Sequence, residues 1–120
     1  MIAVVIGLVT AALYFNKADE RQIEKLAQSH EQGPKLVEQY KQAEKALQKD
    51  PNDFGAYFDI GWVKTELKDW PGAATAYEKS VALNKKNITG WNNLAYVYTQ
   101  MKNYPKAEQC YLKSLDESAG

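Results

Sequence analysis

Residues 57–114 match themselves when slid by 34 positions. Tyr57 falls on Trp91, Ile60 on Leu94, Gly61 on Ala95 and Trp70 on Tyr104. Pro71 falls on Pro105, Ala73 on Ala107, Tyr77 on Tyr111, and Lys79-Ser80 on Lys113-Ser114. A fixed period of this length, with aromatic, small residue, proline and alanine in step, marks a stacked helical hairpin. One such unit cannot bury its apolar face alone, so neighbours must stack on it. The period therefore predicts an all-α chain, a helix-turn-helix repeat solenoid of about three hairpins.

The hairpins are legible in order. In the second, Tyr57, Ile60, Gly61 and Lys64 mark the first helix. Asp69-Trp70-Pro71 is the turn, with Pro71 suited to the start of a helix, and Ala73, Tyr77 and Ser80 mark the second helix. The third repeats this plan with Trp91, Leu94, Ala95 and Tyr98, then Asn103-Tyr104-Pro105, then Ala107, Tyr111 and Ser114. Gly61 and Ala95 must be small so that the partner helix can approach. Tyr57, Trp91, Tyr77 and Tyr111 are expected to fill the space between hairpins.

Residues 18–52 read as a worn first copy. Ile23, Leu26, Ala27 and His30 share one helix face, with Asn16 or Asp19 as a candidate cap. Gly33-Pro34 is expected to end that helix, since proline restricts the residue before it. Leu36, Tyr40, Ala43 and Leu47 then form the next face, closed by Lys49-Asp50-Pro51-Asn52. The expected boundaries are 18–52, 53–86 and 87–118 for the repeats within a domain of 18–120, and 1–17 for a hydrophobic N-terminal helix.

Ile2 to Phe15 is apolar apart from Gly7 and Thr10. As a helix it reaches roughly 21 Å, short of the roughly 30 Å hydrocarbon core. Three readings stay open: a membrane anchor, a signal-peptide segment without the usual positive start, or a helix buried among copies of itself. Ile2, Val5, Ile6, Val9 and Leu13 are its candidate membrane or assembly residues. Lys17, Arg21 and Lys25 follow the run, which would leave the repeats on the cytoplasmic side of a membrane.

At the repeat positions the chain resembles the tetratricopeptide repeat family, whose pattern is W-x2-L-G-x2-Y, then A-x3-F, A-x2 and a late P. The third copy carries Trp91, Leu94, Ala95, Tyr98, Ala107, Tyr111 and Ser114, and the second Tyr57, Ile60, Gly61, Lys64, Ala73, Tyr77 and Ser80. The first keeps Leu26, Ala27, Ala46 and Pro51 but has Gln39 and Ala43 where alanine and an aromatic are expected. The resemblance implies a right-handed superhelix whose first helices line a concave groove that binds protein. By that resemblance the groove positions are Arg21, Glu24 and Gln28, then Phe58, Trp62, Thr65 and Glu66, then Thr89, Asn92, Tyr96 and Gln100. Some members clamp a partner's terminal carboxylate with basic and amide groups. This chain has Glu24, Gln28 and Asp59 there, so that specificity is not carried over. Phe58, Trp62 and Tyr96 favour an apolar or helical ligand.

Composition narrows the chemistry. Fifteen basic and fifteen acidic residues cancel, so no overall field steers the chain to nucleic acid. His30 and Cys110 are single, which precludes an internal disulfide and leaves no zinc set or histidine-based catalytic constellation within one chain. No phosphate-cradling loop is present, and no cofactor or small-molecule substrate is expected. Asn87-Ile88-Thr89 is an N-glycosylation acceptor pattern in a turn. After the third hairpin, Leu112 and Leu115, with Tyr98, are expected to lack a covering element. The expectation is a non-enzymatic protein-interaction scaffold, membrane-tethered by its N-terminal helix. The alternative is a subunit of an extracellular pilus-like filament, with N-terminal helices bundled in the core and repeat heads outside.

Overall fold

The computed structural model describes residues 17–119. Among them are six helices and no strand: α1 (17–27), α2 (Gly33–Lys49), α3 (Phe54–Glu66), α4 (Trp70–Leu83), α5 (Ile88–Gln100) and α6 (Tyr104–Ala119). They pair as three hairpins. The second hairpin joins its neighbours through α2 against α3 and α4 against α5. The apolar run Ile2 to Phe15, with Ile2, Val5, Ile6, Val9 and Leu13, lies outside the described residues. Among those described, no helix is long and apolar enough to cross a membrane.

Short polar side chains start the helices. The Oδ1 atoms of Asp53, Asp69 and Asn87 accept from the backbone N–H of Ala56 (3.1 Å), Gly72 (3.2 Å) and Gly90 (3.0 Å). Each answers a donor that the helix itself leaves free, and each is worth about 1 kcal/mol. Pro71 stands in the first turn of α4, where its missing N–H costs nothing. The turns that follow α3 and α5 pass through a left-handed residue, Lys68 at φ 61° and Lys102 at φ 60°.

Packing follows the same period. The residues α3 buries are Ala56, Ile60, Gly61 and Val63, and α5 buries their counterparts Gly90, Leu94, Ala95 and Val97, together with Tyr98. Helix α4 is buried on two faces. Ala76 packs in the core with Ile60 and Val63 of α3 and Leu36 and Tyr40 of α2, and the Ser80 hydroxyl donates to the Phe54 carbonyl at 2.9 Å. Ala73, Ala74, Tyr77 and Val81 join the core shared with Leu94, Ala95 and Val97 of α5. In α6 the counterparts of Ala73, Ala76 and Ser80 are Ala107, Cys110 and Ser114, all buried. The counterparts of Ala74, Tyr77 and Val81 are Glu108, Tyr111 and Leu115, all exposed because no described element lies over them.

Two expectations about that end are corrected. Tyr111 does not fill an inter-hairpin space; it is exposed, as are Leu112 and Leu115. Tyr98 does not need a following hairpin: it is buried, and its hydroxyl donates to Glu78. Gly61 explains part of the contrast between Tyr77 and Tyr111. A Cβ at Gly61 would come within 2.7 Å of the Tyr77 ring, so that ring lies directly on the glycine backbone. Ala95, at the matching place under Tyr111, carries that methyl.

The first hairpin departs from the period. Gly33-Pro34 does not end α1; it opens α2, with Pro34 in the first turn. Helix α1 stops at residue 27, and His30 lies in the turn, where its Nδ1 accepts from the Gln32 N–H at 3.0 Å. Asp19 does not cap a fresh helix, because the helix already runs at Lys17. The cause is a close approach: a Cβ at residue 33 would run into the Ala27 carbonyl oxygen. Only glycine lets α2 begin there. Large and small also change places. Tyr40 and Ala43 stand where α4 has Ala74 and Tyr77, and Tyr40 completes a core with Ile23, Leu36, Ile60 and Val63. Leu26 is consequently left exposed.

Candidate functional site

The first helices of the second and third hairpins present a cleft of about 440 Å³ between them. Trp62, Thr65 and Glu66 of α3 form one wall, and Asn93 and Tyr96 of α5 the other. Trp70 and Tyr77 of α4 close the floor, and Lys68 sits at one mouth. The volume is that of a pocket for one or two side chains.

Each ring is positioned by the hairpin geometry. Trp70 is the first residue of α4, set by the Asp69 cap, and its ring meets the Tyr96 ring edge-on with centroids 6.1 Å apart. Tyr77 is only 1% exposed and meets Phe58 edge-on at 5.5 Å. The Tyr77 hydroxyl is the cleft's buried polar group. Asn93 Nδ2 donates to it at 3.4 Å. Burial pushes its pKa up, and the negative charge of Glu66 and Asp59 adds to that; hydrogen bonds with Thr65 and Asn93 act the other way. Trp62 and Tyr96 remain open to solvent at 37% and 47% exposure. Two indole and two phenol rings thus line an opening that is about evenly polar and apolar, with Thr65, Glu66, Lys68 and Asn93 supplying the polar groups.

Of the groove residues named from the sequence, the structure brings Trp62, Thr65, Glu66 and Tyr96 together around this cleft. Phe58 turns inward and packs on the core shared by the second and third hairpins. Asn92 and Gln100 are exposed on α5 but do not line the cleft. Asn93 takes the place beside Tyr96. Positions three and four before a helical residue are both its neighbours, so spacing alone does not choose between Asn93 and Asn92. The groove positions implied by the resemblance lie on the first helices, and so omit Lys68, which belongs to the turn, and Trp70, which opens α4. The available signal was the recurrence of an aromatic at Trp70 and Tyr104.

Asn87 is engaged in structure: its side-chain oxygen caps α5, and its Nδ2 lies against Gly90. Cys110 is buried in the core of the third hairpin, and burial, then the charge of Glu78, pushes its thiol up to about 11, with Lys106 opposing. It is a packing residue rather than a thiolate nucleophile.

A comparison with family models matches residues 88–117 to the tetratricopeptide repeat. That segment is α5 with most of α6, the hairpin that supplies Asn93 and Tyr96. Among curated proteins, the sequence is 29% identical over 101 residues, 78% of this chain, to the "Tetratricopeptide repeat-containing protein trd-1" of Caenorhabditis elegans, and it spans 13% of that relative's length. The 34-residue period and the three stacked hairpins agree with these two similarities: residues 88–117 match a tetratricopeptide repeat, and the chain is similar to part of a protein that contains such repeats.

Proposed function

We propose that the chain is a non-enzymatic protein-binding module that takes an apolar side chain of a partner segment between Trp62, Trp70 and Tyr96. The observation that carries this reading is the pair of solvent-open rings, Trp62 and Tyr96, facing each other across a cleft already floored by Trp70 and Tyr77. Large rigid rings of this kind supply contact area at little entropic cost and dominate the energy of protein interfaces. The exposed Glu66 carboxylate and the half-buried Asn93 amide favour a segment that carries backbone N–H donors or a basic residue beside its anchor.

The apolar composition of residues 2–15 supports a membrane tether for this module. The full chain is then expected to need lipid or detergent, while a chain starting at Asp19 is a monomer without either. Regular detergent-free fibres of the full chain would instead assign that segment to a filament core.

The groove reading is tested by panning a random dodecapeptide library against the full chain in non-ionic detergent. Enriched peptides are expected to carry an aromatic or leucine anchor. They are expected to lose at least tenfold in affinity on Trp62→Ala/Tyr96→Ala at unchanged helical circular dichroism. Equal binding to the double variant would move the interface off this cleft.

A further inference from the structure

A second cleft, of about 570 Å³, opens between the first and second hairpins, lined by second-helix residues Tyr40, Glu44, Thr75 and Lys79 with Asp19 and Lys64. It has an internal control. A cleft of about 440 Å³ between the second and third hairpins is lined by the residues 34 positions on. Glu44 corresponds to Glu78, Leu47 to Val81, Tyr57 to Trp91, Ile60 to Leu94 and Ala76 to Cys110. The two are one architectural space, filled in different ways.

In the later cleft the glutamate is satisfied from within the chain. The Tyr98 hydroxyl donates to Glu78, and the Lys106 ammonium stands 5.4 Å from the centre of the Tyr98 ring. In the earlier cleft the same positions hold Lys64 and Gly72, so both the phenol and the second lysine are missing. Glu44 is nonetheless 8% exposed, and its Oε1 is sealed from solvent with no hydrogen-bond partner. A buried acceptor without a donor costs about 1–3 kcal/mol. Two nearby cations are engaged elsewhere: Lys41 pairs with Glu24 at 3.3 Å and Lys79 lies over the Tyr57 ring at 5.4 Å. Lys64 lines the cleft with its aliphatic chain beside Gly72. The groups that act on Glu44 are Asp19 and Glu20 from α1, both acidic, and from α2 the Tyr40 hydroxyl and the Lys41 ammonium, the latter paired with Glu24.

We propose that this outer cleft is a binding site for a small organic ammonium ion, held by Glu44 with Asp19 and seated on the Tyr40 side of the cleft. The ion supplies the hydrogen-bond donor that Tyr98 supplies in the later cleft. It also neutralises the acidic cluster, and its alkyl part lies on Leu47, Ile60 and Ala76. Burial, the hydrogen bond with Glu20 and the charges of Glu20 and Asp19 raise the Glu44 carboxyl to about 8, against the opposing pull of Lys41, so the ligand displaces a proton on entry.

The test is a titration of the isotope-labelled full chain, in non-ionic detergent at pH 7 and constant ionic strength, with n-butylammonium chloride. Saturable NMR shifts are expected at Asp19, Tyr40, Glu44 and Thr75, with the Glu44 carboxyl carbon moving to its ionised position. Glu44→Gln should weaken binding at least tenfold. Lys64→Tyr/Gly72→Lys, which writes the later cleft's filling into the earlier one, should abolish the shifts at unchanged circular dichroism. A parallel titration with Nα-acetyl-lysine methylamide separates the sources: tighter binding than butylammonium assigns the site to a protein lysine, weaker binding to a free amine. Absence of saturable shifts, or shifts of equal size in both variants, overturns the proposal.

Discussion

Single side chains in this chain are judged by what the backbone allows around them. Lys68 and Lys102 hold left-handed φ values of 61° and 60°, a conformation that crowds a Cβ against the following carbonyl. Replacing each by glycine is expected to raise stability by about 0.5–1 kcal/mol, read as a higher urea midpoint. A lower midpoint would mean that the lysine side chains contribute more than the strain takes away. Gly61 runs the other way. Its alanine variant pushes a methyl into the Tyr77 ring and is expected to lose about 1–3 kcal/mol by the same measurement. Gln39 stands where the other hairpins have Ala73 and Ala107, and its Oε1 is buried without a partner. Gln39→Ala should therefore gain about 1 kcal/mol, and a loss would reveal a donor for that oxygen.

At the scale of the element, the capping residue sets where each helix begins. Asp69→Ala is expected to cost about 1 kcal/mol and to blur the placement of Trp70, so quenching of Trp70 by a water-soluble probe should rise with the loss of stability. Much of this layout was legible beforehand, because helix starts at Asp69 and Asn103 and the faces of α3 to α6 are written in residue types that recur every 34 positions. The first hairpin was not legible in the same way. Its turn is placed by the fit of Gly33 against the Ala27 carbonyl, a backbone contact that leaves no periodic trace in the side chains. The groove was legible in part. Trp62 and Tyr96 follow from the resemblance to the repeat family, whereas the contribution of Trp70 depends on how α4 enters the hairpin, and the choice of Asn93 over Asn92 depends on the rotation of α5.

For the whole molecule, the raised Glu44 carboxyl makes stability depend on pH. A carboxyl lifted from 4.5 to about 8 binds its proton more tightly when folded, so folding is favoured below that window and disfavoured as pH rises through it. Its share of stability should fall between about pH 4.5 and 8, and the difference between the parent and Glu44→Gln in urea midpoint should follow that fall. A difference that stays constant over this range would mean that Glu44 titrates as an ordinary carboxylate. The two clefts also share a helix. Trp70 and Tyr77 of α4 floor the groove, while Thr75, Ala76 and Lys79 of the same helix line the outer cleft. A helix buried on both faces moves as a packed unit, so a ligand that shifts α4 from one side changes the energy of binding on the other. By thermodynamic reciprocity, whatever factor one ligand imposes on the affinity for the second is returned unchanged by the second to the first.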